Sequence, residues 1–283
     1  MILDIDTNTL FFSKLLLKNH IADWNRIQNK LKHKFHLLEN TNDVWIRDFM
    51  PIQVSLNHFF CFQYSPSYLK NHMELISDQR KICESLDIDT IYSSIRLDGG
   101  NIVKGNQKVI VTDRIFSENP DRKPLDLIKE IESILQVEVL VFPAEKDDFL
   151  GHSDGLVRFL DDKTILINQL SVYPTEYRKN LETAIHKYQL EILEIPFART
   201  KDKVSAVGYY INFLEFQDTI YLPIFQNMEK SNEEAIEILS SLYQDREIVP
   251  ILLTSIAQDG GLLNCISWSC KTANAKTKEG SWV

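Results

Sequence analysis

Five stretches of the chain carry apolar residues at helical spacing. In the first, one helical face is formed by Ile21, Trp24, Ile27 and Leu31. Pro124 suits the first turn of another helix, and Ser231 and Glu234 have the spacing of a capping box. The predicted helices run over residues 20–31, 69–86, 124–135, 175–188 and 231–243.

Short runs rich in Val, Ile, Phe and Tyr lie between these helices and predict strands. They are Phe59–Tyr64, Lys108–Thr112, Glu138–Phe142, Lys163–Asn168, Glu191–Ile195 and Thr219–Leu222. A helix with its strands forms one unit, and successive units begin about 50 residues apart, which indicates a repeat architecture. Stacked units would present similar, continuous faces. Because the polar motifs here differ from unit to unit, the pattern favours a closed ring of five units over a solenoid.

Polar residues recur along the chain with the same step. They are Asp48, Asp98, His152, Asn212 and Cys265, which follow one another at intervals of about 50 to 60 residues. If each unit directs one loop to a common centre, these side chains meet there. The alternative is five unrelated surface loops, which turn residues alone would produce. A ring therefore predicts one shared site.

Composition indicates a globular protein with a substantial core, since 44% of the 283 residues are apolar and 25% are charged. We predict a single domain over residues 1–283, with a polar, basic tail at 271–283 that is partly disordered. No apolar run approaches the roughly 20 residues that span a membrane, and the acidic start differs from a signal peptide. We therefore expect no membrane association and a cytoplasmic protein.

The net charge of −9 argues against a nucleic-acid partner and favours cationic ligands. The four cysteines form no CxxC pair, which is typical of reduced thiols. Cys61, Cys83 and Cys270 occur in apolar patterns and are predicted to lie in the core. Cys265 follows Gly260-Gly261 in an apolar run that we interpret as a strand. The sequence leaves the oligomeric state open.

A thiol, an imidazole and several carboxylates together indicate a particular chemistry. A Cys–His pair supplies a nucleophile and a proton shuttle. Carboxylates beside a thiolate raise the thiol pKa and do not assist acyl transfer. They are useful if the electrophile is a cation, and a guanidinium is planar and rich in N–H donors that suit carboxylates. The expected partner is thus a small cationic guanidino substrate.

These motifs resemble the agmatine deiminase and bacterial-type peptidylarginine deiminase family of guanidino-modifying enzymes. The motifs are Trp45-x-Arg47-Asp48-x-x-Pro51, Gly151-His152-x-Asp154 and Gly260-Gly261 before Cys265, with weaker matches at Asn119-Pro120 and Tyr210-Ile211-Asn212-Phe213. The resemblance implies an α/β pentein fold, in which five helix-plus-strands modules form a pseudo-fivefold ring around a central active site. It implies neither a cofactor nor a metal.

The resemblance also implies roles for individual residues. Cys265 would be the nucleophile, and His152 would protonate the leaving ammonia and then deprotonate water. Asp48 and Asp154 would bind the guanidinium nitrogens. Asp98 stands where the family has a glutamate that orients the histidine. We place Trp45 and Asn212 beside the substrate as well.

Two positions depart from the family pattern. Asp98 is one methylene shorter than Glu, so its contact with His152 is expected to be looser or water-mediated. Asn264 replaces the usual histidine before the cysteine. Three structural readings compete with these roles: an Arg47–Asp48 ion pair, a metal site at His152 and Asp154, and an ordinary turn at Asp98.

The expected activity is hydrolysis of a guanidino compound to its ureido product and ammonia. Agmatine, giving N-carbamoylputrescine, is the first candidate by resemblance. Arginine or peptidyl-arginine, an amidinotransferase, and a non-catalytic guanidinium-binding protein are the alternatives. The far end of the substrate is not assigned, and the candidate residues for binding a carboxylate there are Arg96, Arg114, Arg158 and Arg199.

Overall fold

The computed structural model of the chain describes residues 1–146 and 148–272, so most of the predicted tail lies outside the described residues. The strands are β1 (Thr9–Ser13), β2 (Phe35–Leu38), β3 (Ile52–Ser55), β4 (His58–Gln63), β5 (Thr90–Arg96), β6 (Val103–Lys104), β7 (Lys108–Thr112), β8 (Glu138–Phe142), β9 (Val157–Phe159), β10 (Thr164–Asn168), β11 (Glu191–Ile195), β12 (Leu214–Phe216), β13 (Thr219–Ile224), β14 (Glu247–Leu252) and β15 (Ser267–Cys270). The α-helices are α1 (Leu16–Asn19), α2 (Ile21–Lys30), α3 (Ile46–Phe49), α4 (Gln79–Ser85), α5 (Arg114–Glu118), α6 (Pro124–Leu135), α7 (Thr175–Lys187), α8 (Glu229–Leu242) and α9 (Ser255–Gln258).

The strands of the described residues form five three-stranded sheets with one shared pattern. In each sheet the central strand is antiparallel to one neighbour and parallel to the other. A parallel pair needs a long crossover, and helices α2, α4, α6, α7 and α8 supply it. The prediction of five helix-plus-strands units is therefore confirmed.

The sheet of β15, β1 and β2 joins the first and last described strands of the chain, which the sequence pattern did not reveal. Strand β15 pairs with β1, so that Phe11 lies opposite Trp268. The rings of these two residues are 5.1 Å apart. Because the C-terminal strand completes the N-terminal module, the loop that carries Cys265 is fixed to the start of the chain.

Apolar burial follows the predicted face of the first helix only in part, because Ile21 is 50% exposed. Trp24 and Ile27 on α2 are 2% and 1% exposed, and the ring of Trp24 packs edge-on against Phe12 of β1. Cys61, Cys83 and Cys270 are buried, as predicted. No helix in the described ranges combines the length and apolar character needed to traverse a bilayer.

The predicted helix over 69–86 is wrong in its first half. The structure has single 3₁₀ turns at Ser67–Leu69 and Met73–Leu75, and α4 begins only at Gln79. Asp78 caps α4 by accepting the N–H of Lys81 at 3.3 Å, which fixes the later start. The segment before it is an irregular loop that carries side chains to the site described below.

The predicted capping box at Ser231 is also wrong. Helix α8 begins at Glu229, without a side-chain cap, and Ser231 lies within its first turn. The neighbouring Asn232 decides the local structure, because its amide donates to the Phe225 carbonyl at 2.8 Å and accepts the Phe225 N–H at 3.1 Å. These bonds tie the helix to the loop before it.

Candidate active site

Each sequence-predicted position of the five-residue series lies in the loop or short helix just before the first strand of a module. Asp48 is in α3 before β3, Asp98 precedes β6, and His152 precedes β9. Asn212 precedes β12 and Cys265 precedes β15. Since the modules repeat, these equivalent segments converge at one end of the ring.

One cavity of about 180 Å³ receives most of these side chains. The predicted site residues that line it are Trp45, Asp48, His152, Asp154, Asn212 and Cys265. Asp98 does not line the cavity and instead contacts His152. Residues distant in sequence are therefore brought together.

His152 is held between two carboxylates. Its Nε2 atom lies 3.0 Å from Asp98 Oδ2, and its Nδ1 atom lies 3.6 Å from Asp48 Oδ1. The shorter Asp98 side chain thus reaches the ring directly, and the expectation of a looser or water-mediated contact is wrong. Burial opposes the imidazolium charge, but Asp48, Asp98 and Asp154 outweigh it and raise the pKa of His152 to about 10.

Tyr68 is a site residue that the sequence analysis missed. Its hydroxyl donates to Asp98 Oδ2 at 3.1 Å, and its ring lies 6.4 Å from that of His152. No motif includes Tyr68. The sequence analysis predicted a helix directly after it, over 69–86, where the structure has an irregular loop. This hydrogen bond fixes the carboxylate that contacts His152.

Cys265 lies in a turn before β15, so its predicted place in a strand is wrong. Its side chain is buried, with Sγ 3.4 Å from Asn212 Oδ1 and 3.8 Å from Asp154 Oδ2. Burial, together with the negative charges of Asp154 and Asp48, raises the pKa of the Cys265 thiol well above its usual value. The ligand-free thiol is therefore protonated at neutral pH.

Burial and neighbouring negative charges both raise the pKa of Asp48. Burial raises its pKa to about 7, with further repulsion from Asp98 and Asp154, while His152 opposes the shift. The N–H of Gly100 donates to Asp48 Oδ1 at 3.0 Å. A Cβ at Gly100 would lie 2.6 Å from Asp48 Oδ1 and 2.7 Å from His152 Nδ1, so glycine is required for this approach.

Asn264, the second departure from the family pattern, bridges two parts of the site. Its amide nitrogen donates to Asp154 Oδ2 at 2.6 Å, and its amide oxygen accepts from Arg47 Nη2 at 2.8 Å. Arg47 also pairs with Asp4 at 3.1 Å. The considered Arg47–Asp48 ion pair is therefore not formed, and Arg47 instead supports the cysteine loop by donating its backbone N–H to the Cys265 carbonyl.

Trp45 forms a wall of the cavity through a close contact with the glycine pair. A Cβ at Gly261 would lie 2.3 Å from Trp45 Cζ3. Gly260 has a φ of +104°, in the region that favours glycine. The Gly-Gly motif therefore lets the turn that carries Cys265 pass closely over the indole.

The remaining cavity wall combines acidic, aromatic and aliphatic side chains. Its members include Asp43, Asp148, Asp259, Tyr64, Phe149 and Tyr209, with Lys203 as a cation among them. Burial raises the pKa of Asp43 to about 6. None of the described lining residues is an arginine.

The arginines considered for the far end of the substrate are engaged elsewhere. Arg199 pairs with Glu145 at 2.5 Å, and Arg114 pairs with Glu118 at 3.4 Å. Arg158 donates to backbone carbonyls, and Arg96 donates to the Glu118 carbonyl at 3.3 Å. No group of three or more His, Cys, Asp or Glu within residues 1–146 and 148–272 has the arrangement of a metal site.

A family model described as Porphyromonas-type peptidyl-arginine deiminase matches residues 10–270. The chain belongs to this family. It is accordingly an enzyme of the guanidino-deiminase type, and the resemblance inferred from the motifs is confirmed. A Photobacterium profundum protein provisionally named an agmatine deiminase is 25% identical in an alignment that covers 81% of this chain and 75% of that protein.

Solved structures of the same architecture show that this member of the Porphyromonas-type family has the predicted pentein fold. A variant of the agmatine deiminase of C. jejuni, with substrate bound, has a TM-score of 0.75 at 16% identity and covers 93% of both chains. The agmatine deiminase of Enterococcus faecalis has a TM-score of 0.68 at 16% identity, covering 94% of this chain and 93% of that one.

Proposed function

We propose that this deiminase hydrolyses agmatine to N-carbamoylputrescine and ammonia through a covalent intermediate on Cys265. The observation that carries the proposal is a buried thiol that shares a cavity with Asp48 and Asp154, where the wall holds further carboxylates and, among its described residues, no arginine. Agmatine has a guanidinium at one end and an ammonium at the other. Both ends are therefore complementary to the charge of this cavity.

Asp48 and Asp154 are placed to bind the guanidinium. Asp154 Oδ2 lies 3.8 Å from the Cys265 sulfur, so a guanidinium bound by this carboxylate has its central carbon near the nucleophile. The incoming cation neutralises the two charges that, with burial, keep the thiol protonated. Binding of substrate thus lowers the thiol pKa, and the thiol releases its proton to solvent to form the thiolate.

In the first half of the reaction, the thiolate attacks the central carbon of the guanidinium and forms the C–S bond. The protonated His152 gives its proton to the departing nitrogen, and the C–N bond breaks to release ammonia. The pKa of about 10 for His152 keeps this acid protonated at neutral pH. The product of this half is an amidino thioether on Cys265.

In the second half, water attacks the same carbon. His152, now neutral, takes one proton of the water. The C–S bond then breaks, the second proton of the water passes to the departing sulfur, and the thiol and the ureido product are released. Asp98 orients His152 for both transfers through the 3.0 Å contact with Nε2. The Asn212 amide oxygen, 3.4 Å from the sulfur, orients the thiol.

The acidic lining of the cavity supports agmatine over arginine. Arginine carries a carboxylate, which Asp43, Asp148 and Asp259 would repel and only Lys203 among the described lining residues outside the proposed catalytic group would attract. An ammonium without that carboxylate would meet the same acids favourably. The proposed partner is therefore a small dication.

A panel assay tests the proposal. Agmatine, arginine, methylated arginine and an arginine peptide are incubated with the protein, without added amine, and ureido product and ammonia are measured. We expect the highest kcat/KM with agmatine and ammonia in equal amount to product. A preference for arginine or the peptide refutes the assigned substrate, while turnover that requires an added amine identifies an amidinotransferase. Binding without turnover identifies a guanidinium-binding protein.

A further inference from the structure

Two neighbouring side chains of the cysteine loop contact the same oxygen of Asp154. The amide nitrogen of Asn264 lies 2.6 Å from Asp154 Oδ2, and the Cys265 sulfur lies 3.8 Å from it. Asn264, Asp154 and Cys265 are 2%, 3% and 7% exposed, so water competes little for these contacts. A carboxylate of the proposed substrate site is thus held by the residue next to the nucleophile.

The partners of the Asn264 amide determine which way it faces. The Arg47 guanidinium carries only hydrogen-bond donors, and an ionised carboxylate only accepts. Arg47 Nη2 donates to the Asn264 amide oxygen at 2.8 Å, which leaves the amide nitrogen for Asp154. A reversed amide would place donor against donor and acceptor against acceptor in a buried site. The amide therefore presents a donor, and not an acceptor, to Asp154.

Arg47 is itself held by several contacts, so it keeps the amide in this orientation. Its Nη2 atom pairs with Asp4 at 3.1 Å, and Asp4 also accepts from Lys104 Nζ at 2.6 Å. The backbone N–H of Arg47 donates to the Cys265 carbonyl at 3.1 Å. The N-terminal 3₁₀ turn is thereby connected to Asp154 through Arg47 and Asn264.

The proposed reaction creates a repulsion that would displace Asp154 if nothing held it. Once the Cys265 thiol has lost its proton, the sulfur and the carboxylate are both negative, and they lie 3.8 Å apart in a buried site. The bound guanidinium offsets this repulsion only while the carboxylate keeps its place. An ionised carboxylate can accept about four hydrogen bonds, so the bond from Asn264 leaves room for the guanidinium.

We infer that Asn264 is a positioning residue, whose amide holds Asp154 in the orientation that binds the guanidinium beside the sulfur. The inference rests on the proposed function. A neutral donor suits this task, because a cation in its place would compete with the guanidinium for the charge of Asp154. The competing explanation is that Asn264 only anchors the cysteine loop to Arg47.

Calorimetric titration with agmatine tests the inference in a Cys265→Ala parent, which binds substrate without turnover. Asn264→Leu in this parent removes the donor at similar volume and should raise the Kd about tenfold. Asn264→Asp keeps the shape and the contact with Arg47, but it places a second carboxylate against Asp154. Two such carboxylates share a proton at low pH and repel when both are ionised. The loss of affinity relative to the parent should therefore grow between about pH 6 and about pH 9.

A matched variant separates this role from a general effect on stability. Asn232→Leu removes a buried amide that bonds to the Phe225 backbone, and it should lower the unfolding temperature without changing the Kd. The inference is overturned if Asn264→Leu binds agmatine as tightly as the parent, if Asn232→Leu weakens binding equally, or if the loss in Asn264→Asp does not vary with pH. Should Asn264→Asp not fold, Asn264→Leu and its control decide.

The parent itself distinguishes failure of the proposed function from failure of this inference. A Cys265→Ala protein that shows no saturable binding of agmatine refutes the proposed substrate, and the inference with it. A parent that binds agmatine, together with Asn264 variants that bind it equally well, refutes only the role of Asn264. In the enzyme with Cys265 intact, Asn264→Leu should also lower kcat about tenfold, because the thiolate then repels an unheld carboxylate.

Discussion

Asp98 Oδ2 lies 3.0 Å from His152 Nε2, so the aspartate side chain is long enough to contact the imidazole directly. The same oxygen accepts from the Tyr68 hydroxyl at 3.1 Å. The carboxylate is therefore held from one side and holds the imidazole on the other. Such a partner fixes both the orientation and the charge of a histidine.

Replacing this carboxylate should disable the proposed proton transfers. Asp98→Asn keeps the shape but removes the charge that helps to keep His152 protonated, so we expect kcat to fall about 100-fold. Tyr68→Phe, which removes only the second hydrogen bond of Asp98, should lower kcat far less. Steady-state kinetics with agmatine compares the two variants, and equal losses would show that Asp98 does not act through His152.

Gly100 tests the packing between Asp48 and His152. A methyl group there would meet the reacting side chains, so Gly100→Ala should lower kcat about 100-fold through displacement of both. Gly155→Ala is the matched control, since its Cβ would meet the Tyr209 ring at an ordinary 3.8 Å. Similar activity in the two variants, measured alongside their unfolding temperatures, would contradict the assigned geometry.

The hydrophobic pattern was sufficient to predict the five-unit ring because each unit carries its own helix and strands. Local patterning predicted α6 at Pro124–Leu135 and β7 at Lys108–Thr112 without error. The closure of the ring by β15 and β1 was not predictable, because that pairing joins residues at opposite ends of the chain.

The site shows the same limit. Motifs and the repeat predict the positions of Cys265, His152 and Asp48. The role of Tyr68 could not be predicted, because this residue lies in an irregular loop with no periodic signal. The link from Asn264 to Asp154 was equally invisible, because it joins side chains of different modules. Sequence patterns therefore locate the modules, whereas contacts between modules become evident only in the three-dimensional structure.

Asp43 tests how the far end of the substrate is recognised. Asp43→Asn removes a carboxylate from the wall of the cavity, and we expect the KM for agmatine to rise about tenfold with little change in kcat. The exposed Asp126→Asn on α6 is the control for net charge. If KM is unchanged relative to the control, Asp43 does not contact the ammonium.

The pH dependence of kcat/KM should be displaced to high pH on both sides. As pH falls through about 7, Asp48 takes up a proton and loses its attraction for the guanidinium. As pH rises through about 10, His152 loses the proton that the leaving nitrogen needs. We therefore expect kcat/KM for agmatine to rise as pH increases through about 7, to keep rising because the Cys265 thiol of the free enzyme is still protonated, and to fall above about pH 10. An acidic limb near the ordinary carboxyl value of about 4 would show that Asp48 is not perturbed in this way.

The most direct test of the account is identification of the covalent intermediate. The protein is mixed with agmatine, quenched in acid within one turnover, digested and analysed by mass spectrometry. We predict that the peptide with Cys265 carries agmatine less one ammonia, that Cys265→Ala forms no adduct and no product, and that Cys270→Ala forms both as the wild type does. Turnover by Cys265→Ala, or an adduct on another residue, would contradict the assignment of Cys265 as the nucleophile.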